Sequence, residues 1–560
     1  MPRALALARQ LRLARTITAA TRCGRRGKHR GRREDNRCAM VSPVASAMPI
    51  TAVLPSRRLW PLHGVAASRQ VEQIALADAA PHALMHRAGL GLARLALALA
   101  PHAERIWVAA GPGNNGGDGL VAARLLHRAG KRVQVSLLAD PLRLPSDAAM
   151  AWQAARDAGV AISASLDSVT PPADGTSIAI DALLGLGAAR APRAPHWRMA
   201  EAIALLNGLR CPVLAVDLPS GLSGDSGQPL GSISTVVRAS HTLALLTIKP
   251  GLFTGLGRDA AGQVWFDALD LPWDEALASA WLSGPPLPRQ RWHAQHKGSF
   301  GDVTVLGGAP GMGGAALLAA RAALAAGAGR VMLARLDGDG AADSGQPELM
   351  PRSVDQLLKP KHLTAGTLVC GCGGGSAVAA HLMTALAHST RLVLDADGLN
   401  AVAGDANLAA ALAARAACGQ TTVLTPHPLE AARLLACTTA QVQADRLGSA
   451  QALAERYQCV VLLKGSGSVV AAPGRRPAVN PTGNARLACA GTGDVLAGWI
   501  GGWWQSQVAT TKTGLEAAVE AAKASAWLHG AAADSGLWRP RTAGHLAQAM
   551  ARVLDQLAGC

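Results

Sequence analysis

Short apolar runs alternate along this chain with segments of helical period, and most runs end in a turn that carries glycine, asparagine or aspartate. In the first half a helical pattern covers residues 68–99, interrupted at Pro81, with Val71, Ile74, Leu84, Leu92 and Leu95 among its apolar positions. Residues 106–110 read as a buried strand, and the glycine loop 111–119 turns into a helix over 120–126. Strands at 132–138, 177–184, 213–218 and 241–248 then alternate with helices over 147–158 and 197–209. The second half repeats the scheme: strands at 303–306, 331–334, 367–370, 392–394, 422–424 and 460–463, helices over 315–326 and 377–387, then a hairpin through 464–481. Such alternation predicts α/β architecture, with two domains built on parallel, doubly wound sheets. Ligands are then expected at the carboxyl ends of the strands.

Length agrees with two cores, since 560 residues with 49% apolar and 16% charged side chains can bury both. Proline and glycine punctuate 272–288, so the expected division is a basic arm over 1–56, a first domain over 57–275, a linker over 276–288 and a second domain over 289–560. Net charge is +17, yet residues 1–39 hold twelve Arg or Lys against two acids and so supply ten of those charges. No aromatic residue interleaves these arginines, which argues against nucleic acid as a partner. The arm reads as a transit peptide or, in preference, as a misassigned start with the true one at Met40 or Met48. Ten cysteines without paired spacing suit reduced thiols and a cytoplasmic enzyme, and Cys370-Gly371-Cys372 lacks the second ligand pair that a metal knuckle needs. No membrane span is expected: Arg321 interrupts 311–329, and the apolar run 495–504 is too short.

Three glycine turns carry the candidate chemistry. Gly491-Thr492-Gly493-Asp494 runs straight into an apolar helix, whose first N–H groups attract phosphate. Asp494 there is either a general base for a hydroxyl attacking phosphorus or an ordinary helix N-cap. Gly111 to Gly119, with Asn114-Asn115-Gly116-Gly117-Asp118 at its centre, follows a strand and precedes a helix; its plain alternative is a hairpin-type turn. Asp181 and Asp217 stand at strand ends beside Asn115, an arrangement of hard oxygen donors that suits a cation without redox chemistry. Lys464-Gly465-Ser466-Gly467-Ser468 offers N–H groups and a hydroxyl to a nucleotide phosphate, or is a plain hairpin.

The chain resembles the bifunctional NAD(P)H-hydrate repair enzymes, an epimerase domain fused to an ADP-dependent dehydratase related to ribokinases, over residues 57–558. The first half carries Leu84-Met85-x-x-Ala88-Gly89, Asn114-Asn115-Gly116-Gly117-Asp118-Gly119, Asp181-Ala182-Leu183-Leu184-Gly185-x-Gly187, Asp217-x-Pro219-Ser220-Gly221 and Lys249-Pro250-Gly251. The second carries His296-Lys297-Gly298, Pro347-Glu348-Leu349-Met350, Asp395-Ala396-Asp397-Gly398-Leu399-Asn400, Thr425-Pro426-His427-Pro428-x-Glu430, Lys464-Gly465 and Gly491-Thr492-Gly493-Asp494-Val495-Leu496-Ala497-Gly498.

The resemblance implies a Rossmann-like first domain and a ribokinase-like second one. It implies that Asn115, Asp181 and Ser220 bind a potassium ion. It implies that Asn114, Asn115, Gly116, Gly117, Asp118, the loop Gly185, Leu186, Gly187, Ala188, Ala189, Arg190 and Ala191, and Asp217 hold the hydrated dinucleotide. In the second domain Ala315, Gly373, His427 and Asp494 would contact the hydrate, while Lys464, Gly465, Ser466, Gly467, Ser468 and Gly493 would hold ADP with its Mg2+. Catalysis would fall to Asp217 as proton carrier in epimerisation and to Asp494 as base in dehydration of the S epimer. Implied partners are NADHX, NADPHX and ADP, with a homo-oligomer expected. Leu186, Leu429 and Ser468 depart from the family pattern, which usually has Thr, a small residue and Thr there. A ribokinase-type kinase of small molecules, or a binding module without turnover, are the competing readings.

Overall fold

The computed structural model describes residues 49–55, 58–166, 176–189, 196–231, 235–271, 275–287, 290–338, 340, 342–507 and 514–558. Nearly all of the expected basic arm, together with Arg190 and Ala191, lies outside them. The arm's last residues do not: Thr51–Ala52 (β1) pairs antiparallel with Gln263–Asp267 (β9), and Val53 is fully buried. The fold therefore begins before the expected boundary, because two residues are too few to show any periodicity.

An eight-stranded sheet forms the first half in the order β1-β9-β8-β7-β6-β3-β4-β5. Its other members are Arg105–Ala110 (β3), Arg132–Leu137 (β4), Ala161–Ser163 (β5), Ser177–Ala182 (β6), Val213–Val216 (β7) and His241–Leu245 (β8). All pairings except that of β1 are parallel. Strand β3 reads Arg-Ile-Trp-Val-Ala-Ala and is buried beyond its first residue, as a strand covered by helices on both faces must be. The chain steps from β3 to β4 on one side and returns to β6 on the other. A crevice opens where the order reverses, at the carboxyl ends of β3 and β6.

Helix Asn114–Arg128 starts earlier than the sequence suggests, so the asparagine loop is itself the helix's first turn and a half. The glycines explain this. A Cβ at Gly116 would lie 2.1 Å from the Gly111 carbonyl oxygen, and one at Gly119 would lie 2.6 Å from Ala182 Cβ, so only glycine lets this helix settle onto β3 and β6.

The second half has an eleven-stranded sheet in the order β13-β12-β11-β14-β15-β16-β17-β18-β19-β10-β2. Its strands are Asp302–Gly307 (β11), Arg330–Arg335 (β12), Met350–Pro351 (β13), Thr367–Cys370 (β14), Arg391–Leu394 (β15), Thr421–Leu424 (β16), Val460–Leu463 (β17), Val469–Ala471 (β18) and Ala478–Val479 (β19), with Ala280–Leu282 (β10) and Trp60–Leu62 (β2) at one end. The order reverses between β11 and β14, beside the start of helix Gly313–Ala325.

Both of those end strands correct the expected division. Strand β10 lies inside the segment read as a linker, and β2, from the first half, pairs antiparallel with it. Leu62 also bridges to Ile248, just after β8 in the other sheet. Trp60, Leu62, Ile248, Phe253, Leu282 and Val479 share one buried cluster. The two sheets are thus joined by a common core rather than by a loose tether.

Candidate active sites

The first crevice is a cavity of about 490 Å³ faced by Arg69, Glu72, Asn115, Asp118, Asp217 and Lys249. Asp217, the first residue past β7, has φ 65°, a left-handed conformation that is uncommon outside glycine and that Asp and Asn tolerate best. Its Oδ1 accepts from Lys249 Nζ and from the Leu245 amide at 3.1 Å. The Lys249 ammonium, 1% exposed, gives its other two protons to the Leu245 and Thr247 carbonyls, both at 3.0 Å. These contacts fix the Asp217 carboxyl and the Lys249 side chain in place.

Asp181 projects from β6 with no exposure. Its Oδ1 accepts from the Ser220 hydroxyl at 2.6 Å and its Oδ2 from the Ser220 amide at 2.8 Å. Burial nonetheless pushes its pKa up to about 6, and no cationic side chain stands among the causes. Asn115, which lines the crevice, is buried against Gly185, and its amide nitrogen has no partner among the described residues. A carboxylate, a hydroxyl and an amide without a protein counter-charge fit a hard monovalent cation. Gly185, Leu186 and Gly187 line the same cavity, and Ala188 and Ala189 complete the short 3-10 turn Leu186–Ala189. Asn114 is exposed at the helix start, with Gly116 and Gly117 buried behind it.

In the second half, Gly491 with φ 87° is the N-cap of helix Thr492–Ser506, and no side chain caps it. Asp494 therefore stands in the first turn of the helix and is not its cap. Burial and the neighbouring Asp395 push its pKa up to about 6, while a hydrogen bond from the Cys372 thiol and the Lys464 charge pull the other way. Burial, with Asp494 and Asp395 adding, holds the Cys372 thiol well above its usual range, so it stays protonated and acts as the donor. Lys464 Nζ reaches Asp395 Oδ1 at 2.7 Å, and Thr425 Oγ1 donates to the same oxygen at 2.8 Å. Burial opposes the Lys464 charge, yet Asp395 and Glu430 outweigh it and its pKa stays above the ordinary lysine value.

The predicted contacts converge here. A Cβ at Gly373 would sit 2.7 Å from Ala315 Cβ, and one at Gly493 would sit 3.5 Å from Lys464 Nζ. His427 is nearby but occupied: Nδ1 accepts from the Leu429 and Glu430 amides at 3.1 and 3.3 Å, capping helix Pro428–Leu435. The turn Lys464–Ser468 is held from beneath by Arg446, 1% exposed, whose Nη2 donates to the Leu463, Lys464 and Gly467 carbonyls.

Cys372 Sγ and the Asp395 and Asp494 carboxylates lie within 4.8 Å of one another. Cys370, the other half of the Cys-Gly-Cys run, takes no part among the described residues. Two carboxylates would accept Mg2+, but Lys464 and Thr425 already occupy Asp395 Oδ1, so a nucleotide's own phosphates are the better ligands for that ion.

Sequence reasoning missed Glu72, Asp395, Cys372 and Arg446 as site residues. Lys249, Asp395 and Cys372 sat in quoted motifs without a role. Glu72 and Arg446 have no local signal, being single charged residues on helices that only the fold brings to a site.

With an acid-lined cavity on one sheet and a glycine-capped helix start carrying Asp494 on the other, the class defined is a two-site, nucleotide-binding α/β enzyme. A family model described as YjeF-related protein N-terminus matches residues 81–251, and one described as NAD(P)H-hydrate dehydratase matches residues 303–555. The bifunctional NAD(P)H-hydrate repair enzyme Nnr of Escherichia coli K12 is 36% identical over 494 residues, covering 85% of this chain and 89% of the relative. The Coxiella burnetii enzyme of the same description is also 36% identical, over 83% of this chain and 93% of its own length. Among solved structures, the ADP/ATP-dependent NAD(P)H-hydrate dehydratase of Bacillus subtilis, co-crystallised with ATP and Mg2+, is 28% identical and covers 48% of this chain and 95% of its own, with a TM-score of 0.37. The chain belongs to the bifunctional NAD(P)H-hydrate repair enzyme family and carries both its epimerase and its dehydratase domain.

Proposed function

We propose that the first cavity interconverts the R and S hydrates of NADH and NADPH, and that the second site dehydrates the S form using ADP. The observation that carries the dehydratase reading is Asp494: a half-buried carboxylate inside a helix start, not capping it, with Lys464 close by. Hydration leaves a hydroxyl on C6 of the reduced ring, and hydroxide leaves poorly. Asp494 takes the hydroxyl proton as the oxygen attacks the β-phosphorus of ADP, and AMP departs. Phosphate then leaves C6 as a proton is lost from C5, restoring the double bond. The net change is hydrate plus ADP to NAD(P)H, AMP and phosphate.

Lys464 and the amides of 465–468 would hold the nucleotide phosphates, with Gly493 giving them close access to the helix start. Mg2+, carried on those phosphates, would neutralise their charge. Ala315 and Gly373 would floor the hydrate site, with His427 at its rim. In the epimerase cavity Asn115, Asp181 and Ser220 would hold potassium, which would fix the crevice where 114–118, 185–191 and Asp217 grip the hydrate. A cytoplasmic homo-oligomer completes this reading. No helix among the described residues is long and apolar enough to cross a membrane.

Incubation with mixed NADHX epimers and ADP tests it, following NADH absorbance and the epimer ratio together. Recovery of NADH from both epimers is expected. A stable phosphorylated product would instead establish a ribokinase-type kinase, and no turnover would leave a binding module.

A further inference from the structure

We propose that Asp118 is the proton donor of the epimerase cavity, working across C6 of the hydrate from Asp217, its proton acceptor. The inference rests on the epimerase reading and gives Asp118 a chemical role beyond binding.

Among the described residues, six charged side chains face this cavity. Arg69 and Glu72 come from helix Val65–Asp78, Asp118 from helix Asn114–Arg128, Asp147 from helix Ser146–Asp157, and Asp217 and Lys249 from the turns after β7 and β8. They divide sharply. Asp217 Oδ1 is bound to the buried Lys249 Nζ, whose other protons go to carbonyls, and among the described residues no hydrogen bond reaches its Oδ2. Asp147 faces His82, with Oδ1 2.7 Å from Nδ1. Arg69 is turned to the Leu186 carbonyl at 2.9 Å. No hydrogen bond from the described residues reaches the Asp118 carboxyl, and the groups acting on it are three acids. Burial, with Asp217, Glu72 and Asp147 adding to it, holds Asp118 well above the usual carboxylate range. Glu72 is raised more mildly, because Lys249 and Arg69 offset its burial and the nearby Asp217. Two carboxyl groups line one cavity, one bonded to a buried lysine and one surrounded by other acids that favour its protonated form, and such contrasting surroundings suit an acid–base pair.

C6 of the hydrate bears both the hydroxyl and ring nitrogen N1. Asp118 gives its proton to the hydroxyl oxygen; the C6–O bond breaks with its electron pair leaving on water, and the N1 lone pair forms a C6=N1 iminium. Water then adds to the opposite face of C6, the iminium pair returns to N1, and Asp217 takes the proton lost from that water. Proton exchange with solvent resets the pair.

The test uses the full chain carrying Asp118→Asn, with dehydration of the S epimer in the same sample as the control for folding. Epimerisation should fall about 10²- to 10⁴-fold in kcat, the usual size of a lost general acid, with KM little changed. The wild-type decline in rate at high pH should vanish with it, and Glu72→Gln should move that decline to lower pH by removing one negative neighbour. Epimerisation by the wild type should carry heavy oxygen from labelled water into the product. An Asp118→Asn variant that epimerises normally, or loses only KM, overturns the inference alone, as does product without heavy oxygen. A wild-type chain that leaves the epimers at their spontaneous rate overturns the epimerase reading and this inference with it.

Discussion

Asp494 poses a choice that geometry decides. Asp and Asn rank alike as N-caps, so a capping Asp494 would be replaced by Asn without loss. It does not cap; Gly491 holds that position, and Asp494 is desolvated beside Asp395. Asp494→Asn should therefore lower S-epimer dehydration about 10²- to 10⁴-fold while nucleotide affinity by calorimetry holds or improves, since one repulsive charge is gone. A base with its pKa raised to about 6 is protonated below that value, so dehydration should rise with pH through about 6 and level off above it. The Cys372 thiol stabilises the charged form by donating to it; Cys372→Ala should shift that rise to higher pH, and an unmoved profile would dissociate the thiol from the base. At Asp181 the burial that raises its pKa should be offset by a bound cation. Potassium should raise the melting temperature of the native chain, and Asp181→Asn should abolish that increment and slow epimerisation, leaving dehydration in place. Asp494 and Asp181 were legible because glycine turns and strand ends announce them. Glu72 was not, since one acid on an amphipathic helix looks like any solvated residue.

Elements were legible in proportion to their length. The alternation of 3.6-period helices with apolar strands revealed both sheets, because a strand buried on two faces must be apolar throughout. Strands of two or three residues were invisible, and β10 precedes Ser283-Gly284-Pro285-Pro286-Leu287-Pro288, whose composition says linker. The nucleotide turn shows what such packing does. Gly467 has φ 64°, and a Cβ there would sit 2.1 Å from the Phe253 carbonyl oxygen, in a segment that follows Lys249 in the other half. Left-handed backbone alone costs a non-glycine residue about 1–2 kcal/mol, before any clash with a carbonyl. Gly467→Ala should thus weaken ADP binding at least several-fold by displacing the 464–468 turn. Calorimetry with ADP would measure it, and unchanged affinity would show that the turn does not hold the nucleotide.

At the scale of the molecule, each half keeps its own buried clusters, and one shared seam joins them. Trp60–Leu62 ends the second sheet by pairing with β10, while Leu62 bridges to Ile248 and the His63 amide donates to the Ile248 carbonyl at 2.8 Å. Arg258 donates to the Gly483 carbonyl, and Arg476 Nη1 and Nη2 to the Glu275 and Ala276 carbonyls at 2.9 and 2.6 Å, so polar contacts cross the seam as well. Interfaces that are small and polar let domains melt separately; a buried apolar cluster with a strand shared between sheets couples them. Leu62 is fully buried in that cluster, and truncating such a leucine removes about 2–5 kcal/mol through lost burial and the cavity left behind. Leu62→Ala touches neither site, yet it should lower the thermal midpoints of epimerase and dehydratase activity together, within a single calorimetric transition. Two resolved transitions, with only the epimerase one shifted, would mean that the sheets unfold independently and that the shared strand adds nothing to their coupling.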